Sequence, residues 1–179
     1  MKENTTILPD NEEIKNHILQ ILETVYDPEV PVLSVIDLGI IREIQLKIQP
    51  AGNNVEGAVI ITPTYTGCPA MDVIRTNIRL ALIENGYTHI GIKTTLSPVW
   101  TTEWMSEKGK EKLKAYGIAP PQAVQSVCTL DAFQEEEAIQ CPHCNSYHTK
   151  LISRFGSTAC KALYQCEDCK EPFDYFKCH

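Results

Sequence analysis

Apolar residues recur along this chain with two different periods, and the alternation between them outlines most of the fold. Ile14, Ile18, Ile21, Leu22 and Val25 fall on one helical face. Asp10-Asn11-Glu12-Glu13 precedes them as an N-cap with a carboxylate in the first turn, which predicts a helix over residues 11–25. Asp27-Pro28-Glu29-Val30-Pro31 ends it, since neither proline continues a helix. From Ile41 to Ile48 the pattern alternates, so Ile40–Ile48 reads as a strand with one wet face. Ala51-Gly52-Asn53-Asn54 is a hairpin-type turn, and Val55–Thr62 its partner strand. Helical spacing returns with Met71, Ile74, Ile78, Ala81 and Leu82, predicting a helix over Cys68–Asn85 closed by Gly86. Ile90–Leu96 reads as a third strand and Ser106–Tyr116 as a shorter, basic helix ending at Gly117. Ala119-Pro120-Pro121 stops regular structure.

The order α, β, β, α, β, α predicts an α/β (α+β) fold, a small mixed sheet flanked by helices, over residues 1–119. Residues 120–139 read as a polar linker with the acidic run Glu135-Glu136-Glu137. The last unit, 140–179, is too small to hold a core unaided.

Composition changes this picture in three respects. No apolar run approaches a membrane span, and no secretory signal follows the polar N-terminus, so the expected compartment is the cytoplasm. There, eight cysteines argue for metal or redox work over a disulfide framework. A net charge of −7 disfavours nucleic acid as a partner, because phosphate binding needs a basic footprint.

The cysteines of the last unit carry the strongest chemical signal. Cys141-Pro-His-Cys144 and Cys166-Glu-Asp-Cys169 are two knuckles that bring four thiolates to one tetrahedral metal. Soft thiolates select zinc or iron–sulfur chemistry, and zinc would supply the folding energy of a C-terminal zinc-ribbon-like β module. Phe173, Tyr175 and Phe176 are its expected hydrophobic floor. Cys160, Cys178, His143, His148 and His179 exceed a four-ligand site. Cys160 is open to two readings, a packed thiol between strands or a second sulfur near a cluster or a partner's cysteine.

A second constellation surrounds Cys68 in Thr66-Gly67-Cys68-Pro69. Proline favours the first helical position, which puts Cys68 at the N-cap, where unpaired N–H groups and the helix dipole stabilise a thiolate. Equally, Cys68 reads as a small buried residue behind a turn. His89 reads as an ordinary surface residue, and no base for a thiol-nucleophile enzyme is visible, so no catalytic residue is assigned.

Asp27-Pro28-Glu29-Val30-Pro31, Val35-Ile36-Asp37-Leu38-Gly39-Ile40, Thr66-Gly67-Cys68-Pro69 and Ser97-Pro98-Val99-Trp100-Thr101 together resemble the SufT/MIP-type iron–sulfur cluster assembly family. That resemblance covers roughly residues 10–119 and implies a domain that delivers or matures iron–sulfur clusters. It makes Cys68 the functional, cluster-binding cysteine, flanked by Asp37 and Thr66. With the cysteine-rich tail added, nearly the whole chain resembles the PaaD family of phenylacetate-degradation proteins. This implies a place in the multicomponent system that epoxidises the ring of phenylacetyl-CoA. No carboxylate–histidine helix pairs for a di-iron centre and no Gly-x-Gly-x-x-Gly loop are present, so chemistry and electron supply belong to other subunits. The expectation is an accessory maturation factor acting on the iron–sulfur reductase, with zinc in the tail and a transient iron–sulfur cluster at Cys68. The alternative is a structural or electron-transfer subunit carrying its own iron–sulfur or rubredoxin-like centre. Other epoxidase subunits are the implied partners, and a homodimer stays open.

Overall fold

A computed structural model describes residues 11–48, 55–122 and 139–177. The first helix, α1 (Asn11–Glu23), buries Ile14, Ile18, Ile21 and Leu22, the stripe set by its apolar period. It stops two residues earlier than predicted, where the Thr24 hydroxyl and amide both bond the Ile21 carbonyl. The chain then folds back through Asp27, whose carboxylate accepts from the N–H groups of Glu29 and Val30, as an aspartate at a turn does.

Strands β1 (Ile41–Ile48) and β2 (Val55–Ile61) pair antiparallel, and β3 (His89–Thr94) joins β2 in parallel. Helix α2 (Ala70–Glu84) is the crossover that a parallel pair requires. The result is the mixed sheet of order β1-β2-β3. The third strand begins one residue before its predicted start and ends two residues early, while the predicted turn at 51–54 lies outside the described residues. Helix α3 (Glu107–Ala115) is capped by Ser106, whose hydroxyl accepts from the Gly109 N–H at 2.9 Å.

Gly39 sits at φ +63°, and a Cβ there would lie 1.9 Å from the Trp104 carbonyl oxygen, so only glycine fits this crossing. The Arg42 guanidinium stacks 3.6 Å over the Trp104 ring and bonds the Gly39 carbonyl, pinning the same crossing. Trp100 is fully buried and donates from Nε1 to the Leu38 carbonyl at 2.9 Å.

The C-terminal module is a four-stranded sheet of order β4-β7-β6-β5. Strands β5 (Thr149–Ser153), β6 (Lys161–Cys166) and β7 (Pro172–Phe176) form an antiparallel meander. Its fourth strand, β4 (Ile118–Ala119), comes from the segment directly after α3 and pairs parallel with β7. The sequence offered no signal for it, because a two-residue strand has no readable period. Two cores result. The larger runs from α1 through the first sheet to Trp100 and Leu113, and the smaller holds Ala119, Ile139, Cys141, Ala162, Tyr164, Cys166, Phe173 and Tyr175.

One expectation needs correction. Phe173 and Tyr175 do floor the ribbon, packed on Tyr164 at ring separations of 5.9 and 5.8 Å. Phe176 does not. Side chains alternate along a strand, so Phe176 leaves the opposite face of β7 from Tyr175. It enters the larger core, where its ring meets Trp100 edge-on at 6.3 Å.

Candidate metal centre and the thiols of the domain junction

The four tail cysteines converge. Their sulfurs all lie within 4.8 Å of one another, with Cys141–Cys169 at 3.8 Å and Cys144–Cys166 at 3.5 Å. A tetrahedral site with metal–sulfur bonds of about 2.3 Å needs sulfur–sulfur edges of about 3.8 Å. The donor set therefore fits one four-coordinate ion held wholly by this chain. Cys141 and Cys166 are fully buried, Cys169 is half-buried and Cys144 is exposed.

Each knuckle is built the same way. The residue after the second cysteine, Asn145 or Lys170, takes a left-handed conformation at φ 63° or 67°. That turn brings backbone N–H groups onto the sulfurs, the nest geometry that favours an anion. The N–H groups of Cys169 and Asp168 hold the Cys166 thiol down to about 7. The Glu171 N–H acts likewise on Cys169, but burial and the thiols of Cys166, Cys144 and Cys141 outweigh it and push that thiol up to about 12. Four thiolates crowded together repel, and a cation at their centre removes the conflict.

The surplus tail residues take other places. His148 pairs with Asp168 and Glu167 at 3.4 and 3.5 Å, and Asp168 also accepts from the Ser146 hydroxyl, tying the two knuckles together. The His143 ring lies over Gly117, where a Cβ would meet it at 3.2 Å. Neither histidine joins the four sulfurs. Cys178 and His179 lie outside the described residues.

Cys68 occupies the turn leading into α2. The N-cap of α2 is Pro69 (φ −67°, ψ −25°), not Cys68 as expected, and the helix starts at Ala70, so Cys68 stands one residue before the cap. Gly67, at φ +85° with open space around it, makes the tight turn before it. The Cys68 thiol is half-buried against the larger core, and the Tyr65 hydroxyl hydrogen-bonds it. Burial, this bond, and the nearby Cys160 thiol and Glu29 carboxylate push the Tyr65 phenol up to about 12, so it remains a donor. Upstream, where β2 ends, the hydroxyl of Thr62 is buried without a partner. Thr66 is exposed on the same turn.

Asp37 is held by a set of bonds of its own. It is 3% exposed, and its carboxylate accepts from the Ser34 hydroxyl and amide, the Ser106 hydroxyl and the Lys112 ammonium. Burial alone would raise its pKa, but these donors, Lys112 foremost, hold it below the usual carboxylate range. These bonds fasten the 34–39 loop to the start of α3. None of them is made to Cys68.

Sequence reasoning assigned nothing to Tyr65 or to the carboxylate of Glu29. The signal for Tyr65 was its place three residues before Cys68 in a turn. For Glu29 none existed, because only the fold brings it near the thiols.

Two family models match the chain. Residues 15–85 match "Iron-sulfur cluster assembly protein", and residues 125–177 match "PaaD zinc beta ribbon domain". The chain is 46% identical over 164 residues to a putative 1,2-phenylacetyl-CoA epoxidase subunit of Escherichia coli (strain K12), a match that spans 91% of this chain and 92% of that protein. It is 34% identical over 104 residues to "Fe-S protein maturation auxiliary factor" of Porphyromonas gingivalis, covering 56% of this chain and 91% of the relative. Among solved structures, a DUF59 domain of unknown function from Bacillus anthracis matches 57% of this chain and 92% of its own, at 27% identity and a TM-score of 0.49. An iron–sulfur assembly domain followed by a four-cysteine ribbon, in one chain and over nearly the full length of a putative epoxidase subunit, has one reading: the chain belongs to the PaaD family.

Proposed function

We propose that this protein is an accessory maturation factor of the phenylacetyl-CoA epoxidase system, which helps install or maintain the iron–sulfur cluster of its reductase subunit. The observation that carries the reading is the union, in one chain, of an assembly-type domain bearing a half-buried thiol and a ribbon whose four sulfurs converge at the spacing one ion needs. A closed tetrahedral site has no open coordination position, so it suits a structural ion, zinc, better than a reacting one. The accessible chemistry then falls to Cys68, the half-buried thiol that the Tyr65 hydroxyl hydrogen-bonds. Thr66, exposed on the same turn, borders the approach to Cys68, and Asp37 supports the frame by holding α3 in place. The relatives support this reading, one by the words "phenylacetyl-CoA epoxidase" and the other by "Fe-S protein maturation".

The test is co-expression of the reductase with Cys68→Ala. The reading expects a folded variant and a reductase depleted in iron and sulfide. A reductase with full iron and sulfide beside Cys68→Ala would refute it. The other reading, an electron-transfer subunit, draws on the same sulfur geometry, which accepts iron as well as zinc. Protein purified without oxygen decides: a zinc ribbon is colourless, whereas thiolate-bound iron absorbs in the visible.

A further inference from the structure

The first sheet has two outer edges, and they are finished differently. At β3, Arg79 of α2 donates from Nη1 to the Ile90 carbonyl at 2.5 Å and from Nη2 to the Thr88 carbonyl at 2.8 Å. That guanidinium occupies acceptors an added strand would need, which closes the edge. At β1 no such cover exists among the described residues, where β2 is the only strand hydrogen-bonded to it. Its irregularity is confined to the Ile41–Glu43 end, and from Glu43 to Ile48 the register is regular. An uncovered, regular edge is a template for another strand.

The peptide groups that this edge presents follow from the pairing on its other side. The Gln45 carbonyl faces β2, where a Cβ at Gly57 would stand 2.0 Å from its oxygen. On β2 the Ile61 carbonyl turns to the β3 side and accepts from the Thr95 N–H, and the next residue, Thr62, turns to the β1 side and donates to Ile40. Alternation from Thr62 back along β2 aims Ile60, Ala58 and Glu56 at β1, and so aims their partners Glu43, Gln45 and Lys47 at β2. The N–H and C=O groups of Ile44 and Leu46 therefore point outward. Their side chains join the core on the helix side of the sheet, while Glu43, Gln45 and Lys47 line its exposed face.

We propose that this edge is a self-association surface: two copies of the chain pair antiparallel through β1, about a two-fold axis at Gln45, and join their sheets into one. The charges select this partner and this register. With Gln45 opposite its own copy, Glu43 faces Lys47 of the second copy and Lys47 faces Glu43 of the second copy, so both outer rows are opposite-charge pairs. Ile44 then faces Leu46 of the second copy as a hydrogen-bonded pair, on the side that is already apolar. A parallel copy in register would instead set Glu43 on Glu43 and Lys47 on Lys47. A two-fold axis normal to the sheet keeps both α1 helices on one face. There a groove of about 420 Å³ runs between α1 and β1, with Leu19, Ile36, Ile41 and Ile44 in its lining. Leu19 is 38% exposed, and the Nε–H of Arg42 in the same groove is buried without an acceptor among the described residues. The second copy brings apolar cover to this groove. The pairing stands apart from the maturation reading, since it uses none of the cysteines.

Sedimentation velocity of the zinc-loaded full-length chain, in reductant and from about 5 to 500 µM, tests the pairing. A monomer–dimer equilibrium is expected. Amide exchange should slow with concentration at Ile44 and Leu46 but not at Gln45, which already faces β2. Glu43→Lys and Lys47→Glu each turn both outer rows repulsive, and each should weaken the dimer by about tenfold or more. Both side chains are exposed, so the fold should survive, and circular dichroism checks this. Mixing the two variants restores opposite charges in both rows, so a heterodimer of near wild-type strength should form from two chains that pair poorly alone. The chain carrying both Glu43→Lys and Lys47→Glu should likewise pair with itself. If Lys47→Glu, which also meets Glu56 across β2, does not fold, Glu43→Lys alone decides. A monomer throughout the range would overturn the proposal and leave the edge to an extended strand of another protein. A dimer that keeps its strength in Glu43→Lys, or that the mixture of folded variants fails to restore, would put self-association on another surface and overturn it equally.

Discussion

Phe176→Ala is expected to loosen the ribbon from the assembly domain while leaving the ribbon's metal in place. The ring is 2% exposed and meets Trp100, itself fully buried, edge-on at 6.3 Å. Truncating a buried phenylalanine to alanine costs about 3–5 kcal/mol, which includes the lost transfer energy and the cavity left behind. Other ties are the two-residue pairing of β4 with β7, Ile118, Cys160, the His143 ring over Gly117 and a long Lys114–Gln140 bond at 3.4 Å, none of which fills the space the ring would leave. The ribbon core of Tyr164, Phe173 and Tyr175 lies on the other face of β7, so the four-sulfur site keeps its support. Since each 1.4 kcal/mol is a factor of ten, opening of the junction should rise about a hundredfold to a few thousandfold. Pulsed alkylation of zinc-loaded protein, read by mass spectrometry, measures this directly as the labelling rate of Cys160, which is shielded unless the junction opens. Cys166, buried and metal-bound, serves as the internal control. Labelling of Cys160 within about tenfold of wild type, with the same single unfolding transition, would show that Phe176 does not hold the domains together.

Two further outcomes follow from local geometry. Asp37 has a lowered pKa in the folded chain, so unfolding takes up protons, and its contribution is fully present above the ordinary carboxylate value of about 4 and fades as pH falls through the folded value. Asp37→Asn should therefore cost about 1–3 kcal/mol near pH 7 and flatten the acid limb of the stability curve, and an acid limb identical to wild type in denaturant titrations would contradict this. Lys170 holds a left-handed conformation at φ 67°, which strains a side-chain-bearing residue by about 1–2 kcal/mol. Lys170→Gly should tighten zinc by roughly fivefold in chelator competition, and a fall in affinity would show instead that the Lys170 bond to the Glu167 carbonyl outweighs the strain.

Much of this protein was legible in its sequence because the determining relations are short. Helical faces such as Ile14-Ile18-Ile21-Leu22 depend on neighbours three and four residues apart. Each Cys-x-x-Cys knuckle is fixed by one turn of backbone, so the convergence of Cys141, Cys144, Cys166 and Cys169 could be read from spacing. The antiparallel pairing of β1 and β2 could be read from the shortness of the sequence that joins them. Strand β4 was invisible, because its partner β7 lies more than fifty residues away and two residues carry no period. Which face Phe176 takes was equally out of reach, because it depends on where β7 sits between two cores. The four donors that hold Asp37 come from loop and helix positions with no common pattern. Cys160 shows the limit most sharply. Its sequence neighbours assign it to the ribbon, yet its burial places it in the core of the assembly domain. Local chemistry fixes which residues are able to bind a metal; only the packing of two modules across one core decides in which of them a residue such as Cys160 or Phe176 is buried.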